Sequence, residues 1–400
     1  MLTQGGKCIY CDGFQGDSQF SLEHVWPESL GGAFLPSTIF QTKRVCRTCN
    51  SRCGQFVDGG FLKSWMIKAE VANSAYRFLD PASPQAVPLF YTGIDTQFPT
   101  HPDECCERWL GPAGARVYHI HRKDNERWGA YAGGDPIRRK KADPGRAYVA
   151  LTSTSQFWSQ CALRSFAAYF PKAERYCATR LSGDDLGLPI STLDTPGISD
   201  QARSEIRAVL ADPTSVMHEI QLDVSFCDRF LCKLALGIGH NVLGPRFAGS
   251  KYADRLRRGL WTTDVDARAE LGLMGTGFWN GDDKQAAEIG GWPGAWVLSL
   301  HAFPSAFGVH LFTPGARNLA MLVSNEPDIW DGHVLRTYGE GAYFVVVPQR
   351  RASIGPVKAL DFVMHKARRK RHPDLAKIDT WQTREQLPPI TRPSESIEIG

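Results

Sequence analysis

Two cysteine pairs with the same short spacing, Cys8/Cys11 and Cys46/Cys49, carry the clearest chemistry in this 400-residue chain. Each Cys-x2-Cys pair delivers two thiolates to one ion, and two such knuckles make the tetrahedral sulfur set that structural zinc prefers. The opening residues, MLTQGGKCIYCDG, have neither the basic start nor the apolar stretch of a secretory leader. No apolar run reaches the length of a membrane span. The expectation is a cytoplasmic protein whose thiols stay reduced, where such pairs bind metal instead of forming disulfides. A module of roughly 60 residues with few large apolar side chains needs the folding energy that one zinc supplies. Between the pairs lies SLEHVWPESLGG (21–32), and Asn50 follows the second pair directly. Cys53 reads as a spare buried cysteine. Asp58 lies eight residues past Asn50, about 12 Å along a continuous helix. It can share an ion with Asn50 only if the chain turns at Gly54; the other reading is that it braces a basic side chain.

The order Cys-x2-Cys, acid–His–x–x–Pro, Gly-Gly, then Cys-x2-Cys-Asn resembles the HNH nuclease family over about residues 8–58. The resemblance implies two strands and a helix around a catalytic metal, the ββα-metal finger. It implies that His24 is the general base, since a neutral imidazole can take a proton from water near neutral pH. Glu23 stands where the family carries a metal-binding acid, usually Asp, and Asn50 takes the last family position, a second metal contact. Carboxylate and amide oxygens suit Mg²⁺ or Mn²⁺ and leave coordination sites for water and a scissile phosphate. The family's middle Asn is replaced here by Gln41, read as a residue that supports the loop by hydrogen bonding.

The elements that must position these residues are uneven in clarity. Residues 1–60 show little periodicity, as expected of a metal-stapled fold. From Gly59, GGFLKSWMIKAEVANSAYRFL places apolar residues at helical spacing. The proline-rich stretch 81–102 resembles a linker or an extended crossing. Residues 116–122 and 127–132 read as short strands, and 155–170, 225–244 and 250–261 as helices. After Trp292 the pattern shifts to period two, and AWVLSLHAF, FGVHLFT, LAMLVS, HVLRTY and AYFVVVP read as five strands. A basic helix (358–372) and a disordered tail follow. The expected class is therefore α+β: a zinc-stapled HNH module with its following helix (1–78), an α+β recognition or sensor region of unassigned fold (79–370), and a tail (371–400).

Net charge is +4, and its distribution says more than its size. Residues 1–60 hold five basic and five acidic residues, whereas 341–400 hold eleven basic against six acidic. A neutral catalytic module must find its phosphate-binding charge elsewhere in the chain. Two clusters could provide it: Arg138, Arg139, Lys140 and Lys141 in a turn, and Arg368, Arg369, Lys370 and Arg371 at the end of the basic helix. Other residues read more plainly. His119 and His121 share one side of a strand as a metal pair would, but without an acid or cysteine at ligand spacing they read as surface histidines. Cys105 and Cys106 are assigned nothing, His240 and Asn241 read as a helix C-cap, and Trp279–Gly281 reads as a loop anchor.

Together these residues point to a metal-dependent endonuclease that hydrolyses DNA phosphodiesters, with RNA not excluded, in bacterial restriction or defence. The chain carries no Walker loop, dinucleotide fingerprint or methyltransferase motif, so the larger region is expected to bind or sense. A small-molecule activator of that region and a homodimer are compatible with this architecture. The competing reading is a non-catalytic zinc module that grips nucleic acid or protein. The Glu23–His24 pair argues against it, because a binding module has no need of it.

Overall fold

The structure is a computed structural model that describes residues 5–123, 145–179, 225–276 and 284–382, apart from positions 81, 97, 99, 152, 154 and 331. The strand expected at 127–132, the cluster Arg138–Lys141 and the Trp279–Gly281 turn lie outside the described residues. The class is mixed α+β, with the cysteine-bearing segment followed by sheet-containing parts. Contacts divide the chain into two compact units, and the division does not follow the linear order of the sequence. The first combines Met1–Lys63, Asn73–Phe78 and Leu222–Gln382, so the N-terminal module folds together with the C-terminal region. The described residues of the second lie within Ser64–Ala72 and Leu79–Gln221.

In the first unit, strands Phe20–His24 and Gln41–Cys46 pair antiparallel, with Phe20 opposite Cys46 and His24 opposite Gln41. Helix Arg47–Arg52 follows at once, completing a ββα arrangement. A hairpin of Gly5–Lys7 and Phe14–Gly16 carries the first cysteine knuckle beside it. This module rests on a six-stranded, wholly antiparallel sheet. Its spatial order is Gly275–Thr276, Asn318–Ser324, Ala306–Phe312, Trp296–Phe303, Ala342–Val347, Ala352–Lys358. Because side chains alternate along a strand, Trp296 and Phe344 face one side while Val297 and Val345 face the other. The first side receives the module, with Trp26 5.5 Å from Trp296 and Phe40 5.1 Å from Phe344, both edge-on. The second packs against Phe362, Leu375 and Ile378. Burial on both sides explains why Ala342–Val347 is continuously apolar.

Two helices complete the support. Ser225–Leu243 places Phe230 flat on Phe61 at 3.8 Å and edge-on to Trp26 at 5.9 Å. Lys251–Trp261 starts where the Ser250 hydroxyl accepts the Ala253 amide, the usual N-cap device.

Three elements differ from expectation. HVLRTY lies in helix Gly332–Tyr338, where Val334 and Tyr338, four residues apart, turn inward together. Six residues are too few to tell a helical step from an alternating one. Ala352–Lys358 is an additional edge strand. Its Gly355 and Pro356 disguise it, since proline is tolerated in a sheet only where no ladder donor is needed. Beyond the basic segment, Leu375–Trp381 is a helix whose Leu375 and Ile378 are fully buried, where a tail was expected.

The second unit is built on a five-stranded sheet in sequential order: Phe90–Asp95, Glu104–Leu110, Arg116–Arg122, Arg146–Leu151 and Glu174–Thr179. The first four run antiparallel and the last pair parallel. The parallel step needs a crossover, supplied by helix Gln156–Tyr169, whose N-cap is Ser155. The segment expected as a linker or an extended crossing (81–102) thus contributes the first strand, Phe90–Asp95. One face of the sheet packs Trp109, Val117 and Val149 against Phe166 and Phe170 of the crossover. The other gathers Phe98, Tyr118, Tyr148 and Tyr176. No helix among the described residues is long and apolar enough to cross a membrane.

Candidate active site

The four knuckle cysteines converge. Their sulfur atoms all lie within 4.8 Å of one another, a bound that admits the roughly 3.8 Å spacing of four sulfurs around one zinc at about 2.3 Å. Local backbone geometry prepares the set. The Cys46 amide points at the Cys8 sulfur (3.3 Å) and the Cys49 amide at the Cys46 sulfur (3.5 Å), so Cys46 also caps helix Arg47–Arg52. The neighbouring Cys49 thiol pulls the Cys8 thiol down to about 5, against the opposing effect of burial. The same contact pushes Cys49 up. One thiolate thus forms readily, as a zinc ligand must. The residues fit a structural zinc.

The knuckles are held from outside the module as well. The Arg257 guanidinium donates to the carbonyl oxygen of Ile9 (3.0 Å) and the Trp261 indole to that of Tyr10 (2.8 Å), both inside the first Cys-x2-Cys loop. Both come from helix Lys251–Trp261.

His24 ends strand Phe20–His24, half-buried, opposite Gln41. The turn after it explains the Gly-Gly of the motif. Gly31 has φ +92°, a conformation that favours glycine, and a Cβ on Gly32 would sit 2.0 Å from the Trp26 carbonyl oxygen. Val25, next to His24, meets helix Ser225–Leu243 at Gly237, where a Cβ would come within 2.4 Å of a Val25 methyl. Asn50 donates its amide to the Leu22 carbonyl oxygen (2.8 Å) and the Ser21 hydroxyl (3.0 Å), tying helix to strand. Gln41 is held through its backbone. Its carbonyl oxygen and that of Ile39 both accept from the Asn241 side chain, at 2.9 and 2.8 Å. Asn241, expected as a C-cap, therefore acts as a brace across to the other strand.

Glu23 faces away from solvent, as alternation along the strand requires. It is 3% exposed, accepts a hydrogen bond from the Tyr10 hydroxyl (3.3 Å), and sits 2.7 Å from the ammonium of Lys233. Lys233 is fully buried on helix Ser225–Leu243. It also donates to both Asp58 oxygens (2.9 and 2.8 Å) and to the carbonyl oxygen of His24 (3.1 Å). Burial pulls Lys233 down, but Asp58 and Glu23 outweigh it and hold the lysine charged. Burial raises both carboxyls, which Lys233 partly opposes, because two carboxylates share one ammonium. Asp58 braces a basic side chain, and Cys53 is a buried thiol pushed up by burial beside the same cluster.

A divalent ion liganded by Glu23 does not fit this arrangement, because the carboxylate is already occupied by a buried ammonium. Sequence reasoning missed Lys233. The available signal was a lone lysine inside an otherwise apolar helix, FLCKLALG, since unpaired lysine is almost never fully buried.

The second basic cluster is only partly free. Helix Ala359–Lys366 ends before it, and Arg368, Arg369, Lys370 and Arg371 follow in an exposed turn. Lys370 is paired with Asp361 at 2.8 Å. Lys366 turns back onto the carbonyl oxygens of Glu288, Ile289 and Gly291.

Neither curated proteins nor solved structures yielded a match to the chain. A family comparison did. Over residues 8–66, the segment holding the four thiols, the paired strands and His24, the chain matches the family described as HNH endonuclease.

Proposed function

We propose that this protein is an HNH-type endonuclease that hydrolyses DNA phosphodiesters, with His24 as general base. One observation carries the reading: the segment that matches the HNH family folds as a ββα unit around a four-thiol cluster, with His24 at the end of its strand. In the proposed reaction a water oxygen attacks phosphorus in line while His24 takes the water's proton. The P–O3′ bond breaks and the departing oxygen takes a proton from solvent, leaving a 5′-phosphate and a 3′-hydroxyl. The neighbouring residues set the position of the imidazole. Asn50 fastens the strand to its helix, Lys233 grips the His24 carbonyl, and Gln41 stands opposite.

The family resemblance also assigns Mg²⁺ or Mn²⁺ to Glu23 and Asn50. With Glu23 held by the buried Lys233 ammonium, the residues present do not fit that ion, and the proposed step does not use it. A role in bacterial defence or restriction belongs to the same proposal. The exposed cluster Arg368, Arg369 and Arg371 is its candidate for backbone contact.

Incubating the zinc-loaded chain with supercoiled plasmid and with structured RNA, under Mg²⁺, Mn²⁺ or EDTA, tests the reading. Cyclic oligonucleotides added to parallel reactions test for an activator, and a mass measurement in solution tests for a homodimer. Loss of cleavage in His24→Ala, with zinc retained, is expected. The competing view, a zinc module that binds without cutting, predicts gel shifts with intact substrate in every reaction.

A further inference from the structure

The second unit holds a cluster that the nuclease reading does not use. Strands Glu104–Leu110 and Arg116–Arg122 pair with Cys105 opposite His121 and Glu107 opposite His119. The two-residue alternation of a strand places all four side chains on one face, the face covered by the crossover helix, where Phe170 lies 4.7 Å from the His119 ring. The histidines are therefore interior groups, and the acid that sequence spacing could not supply comes from the adjacent strand. His119, His121 and Glu107 are 1%, 3% and 3% exposed.

The distances are those of ligands around an ion. His119 Nδ1 lies 3.3 Å from one Glu107 oxygen, and His121 Nε2 lies 3.4 Å from the other. A hydrogen bond between nitrogen and oxygen favours about 2.9–3.0 Å. Two ligands bound at about 2.0–2.2 Å to one tetrahedral ion stand roughly 3.3–3.6 Å apart. The tautomer points the same way. His121 Nδ1 sits 2.7 Å from the Arg122 carbonyl oxygen, which can only accept, so Nδ1 carries the proton. In the neutral ring this leaves the Nε2 lone pair facing a carboxylate oxygen, an arrangement that an ion between them would satisfy. The outer partners also match those of metal-bound groups, whose far sides are held by hydrogen bonds. His121 is oriented by the Arg122 carbonyl, and Glu107 accepts from the Trp109 indole at 3.3 Å. The ligand atoms of Glu107, His119 and His121 all lie within 4.8 Å of one another, while the half-buried Cys105 Sγ stands beside the group, 3.4 Å from His121 Nε2.

We infer that Glu107, His119 and His121 bind a zinc ion that staples the two strands of this sheet. Two imidazole nitrogens and a carboxylate in a buried set suit zinc, which takes such ligands at about 2.0–2.2 Å.

Elemental analysis and zinc-edge X-ray absorption on the full-length chain, purified without chelator, test this. The expected result is about two zinc ions per chain, one from the four cysteines, with a nitrogen/oxygen shell near 2.0 Å beside the sulfur shell near 2.3 Å. His121→Gln or Glu107→Gln should lower the count to about one and leave an all-sulfur shell. The absorption measurement on the unmutated protein needs no variant to fold. About one zinc with an all-sulfur shell would overturn the inference in favour of a protonated His–Glu pair. Iron or manganese in stoichiometric amount would overturn the choice of ion, and an undiminished count in both variants would overturn the residues.

Discussion

Lys233 is an ammonium removed from water and surrounded by oxygen: Glu23 at 2.7 Å, Asp58 at 2.8 and 2.9 Å, and the His24 carbonyl at 3.1 Å. Removing one partner of a buried charge pair costs far more than the pair contributes net, because the other charge is left without solvent or counterion. Lys233→Met would strand two carboxylates, with an expected loss of about 3–5 kcal/mol in denaturant unfolding of the zinc-loaded chain. Adding Glu23→Gln and Asp58→Asn should recover part of that loss. An unchanged midpoint in Lys233→Met would show that the cluster does not hold the module. At this scale the sequence was informative where chemistry repeats at short range. Two Cys-x2-Cys pairs, Glu23–His24 and Asn50 are visible within 43 residues (8–50). It was silent where partners are far apart: Lys233 meets Asp58 across 175 positions, and Glu107 meets His119 only through strand register.

At the scale of elements, helix Ser225–Leu243 matters because it passes so close to the strand that ends at His24. Gly237 has no side chain, and the Val25 methyls fill the space where one would be. Gly237→Ala should gain up to about 1 kcal/mol in helix propensity. It should lose more to overlap, because Val25 is β-branched, fully buried and unable to turn aside. A net loss of about 1–3 kcal/mol is expected, read as a lower thermal midpoint, together with reduced cleavage because His24 is the next residue. A variant as stable as the parent would mean the helix can move away from the strand. The helix itself was legible from its three- and four-residue apolar steps. Its contact with Val25 was not, because a glycine in such a pattern reads as a weak helix position until the neighbouring strand is seen.

At the scale of the whole molecule, the module is not self-sufficient. Its knuckle carbonyls are held by Arg257 and Trp261, its strand junction by Asn241, and its buried acids by Lys233. Trp26 and Phe40 pack on a sheet that begins after residue 274. A fragment of residues 1–78 should therefore bind zinc yet fail to give a cooperative unfolding transition, whereas residues 225–382 supplied as a second chain should restore it. A cooperative transition from the fragment alone would contradict the integration described here. The boundary drawn from sequence followed the family motif, which marks chemistry along the chain. Which surfaces bury one another is decided by apolar side chains such as Trp26, whose partners 204 and 270 residues away leave no local trace.

The most direct measurement compares plasmid cleavage by the zinc-loaded full-length chain with that by His24→Ala, across Mg²⁺, Mn²⁺ and EDTA. Nicking or linearisation that falls by at least about 100-fold in the mutant, at equal zinc content, is the predicted result for loss of a general base. Equal cleavage by the two proteins would contradict it and remove His24 from the chemistry.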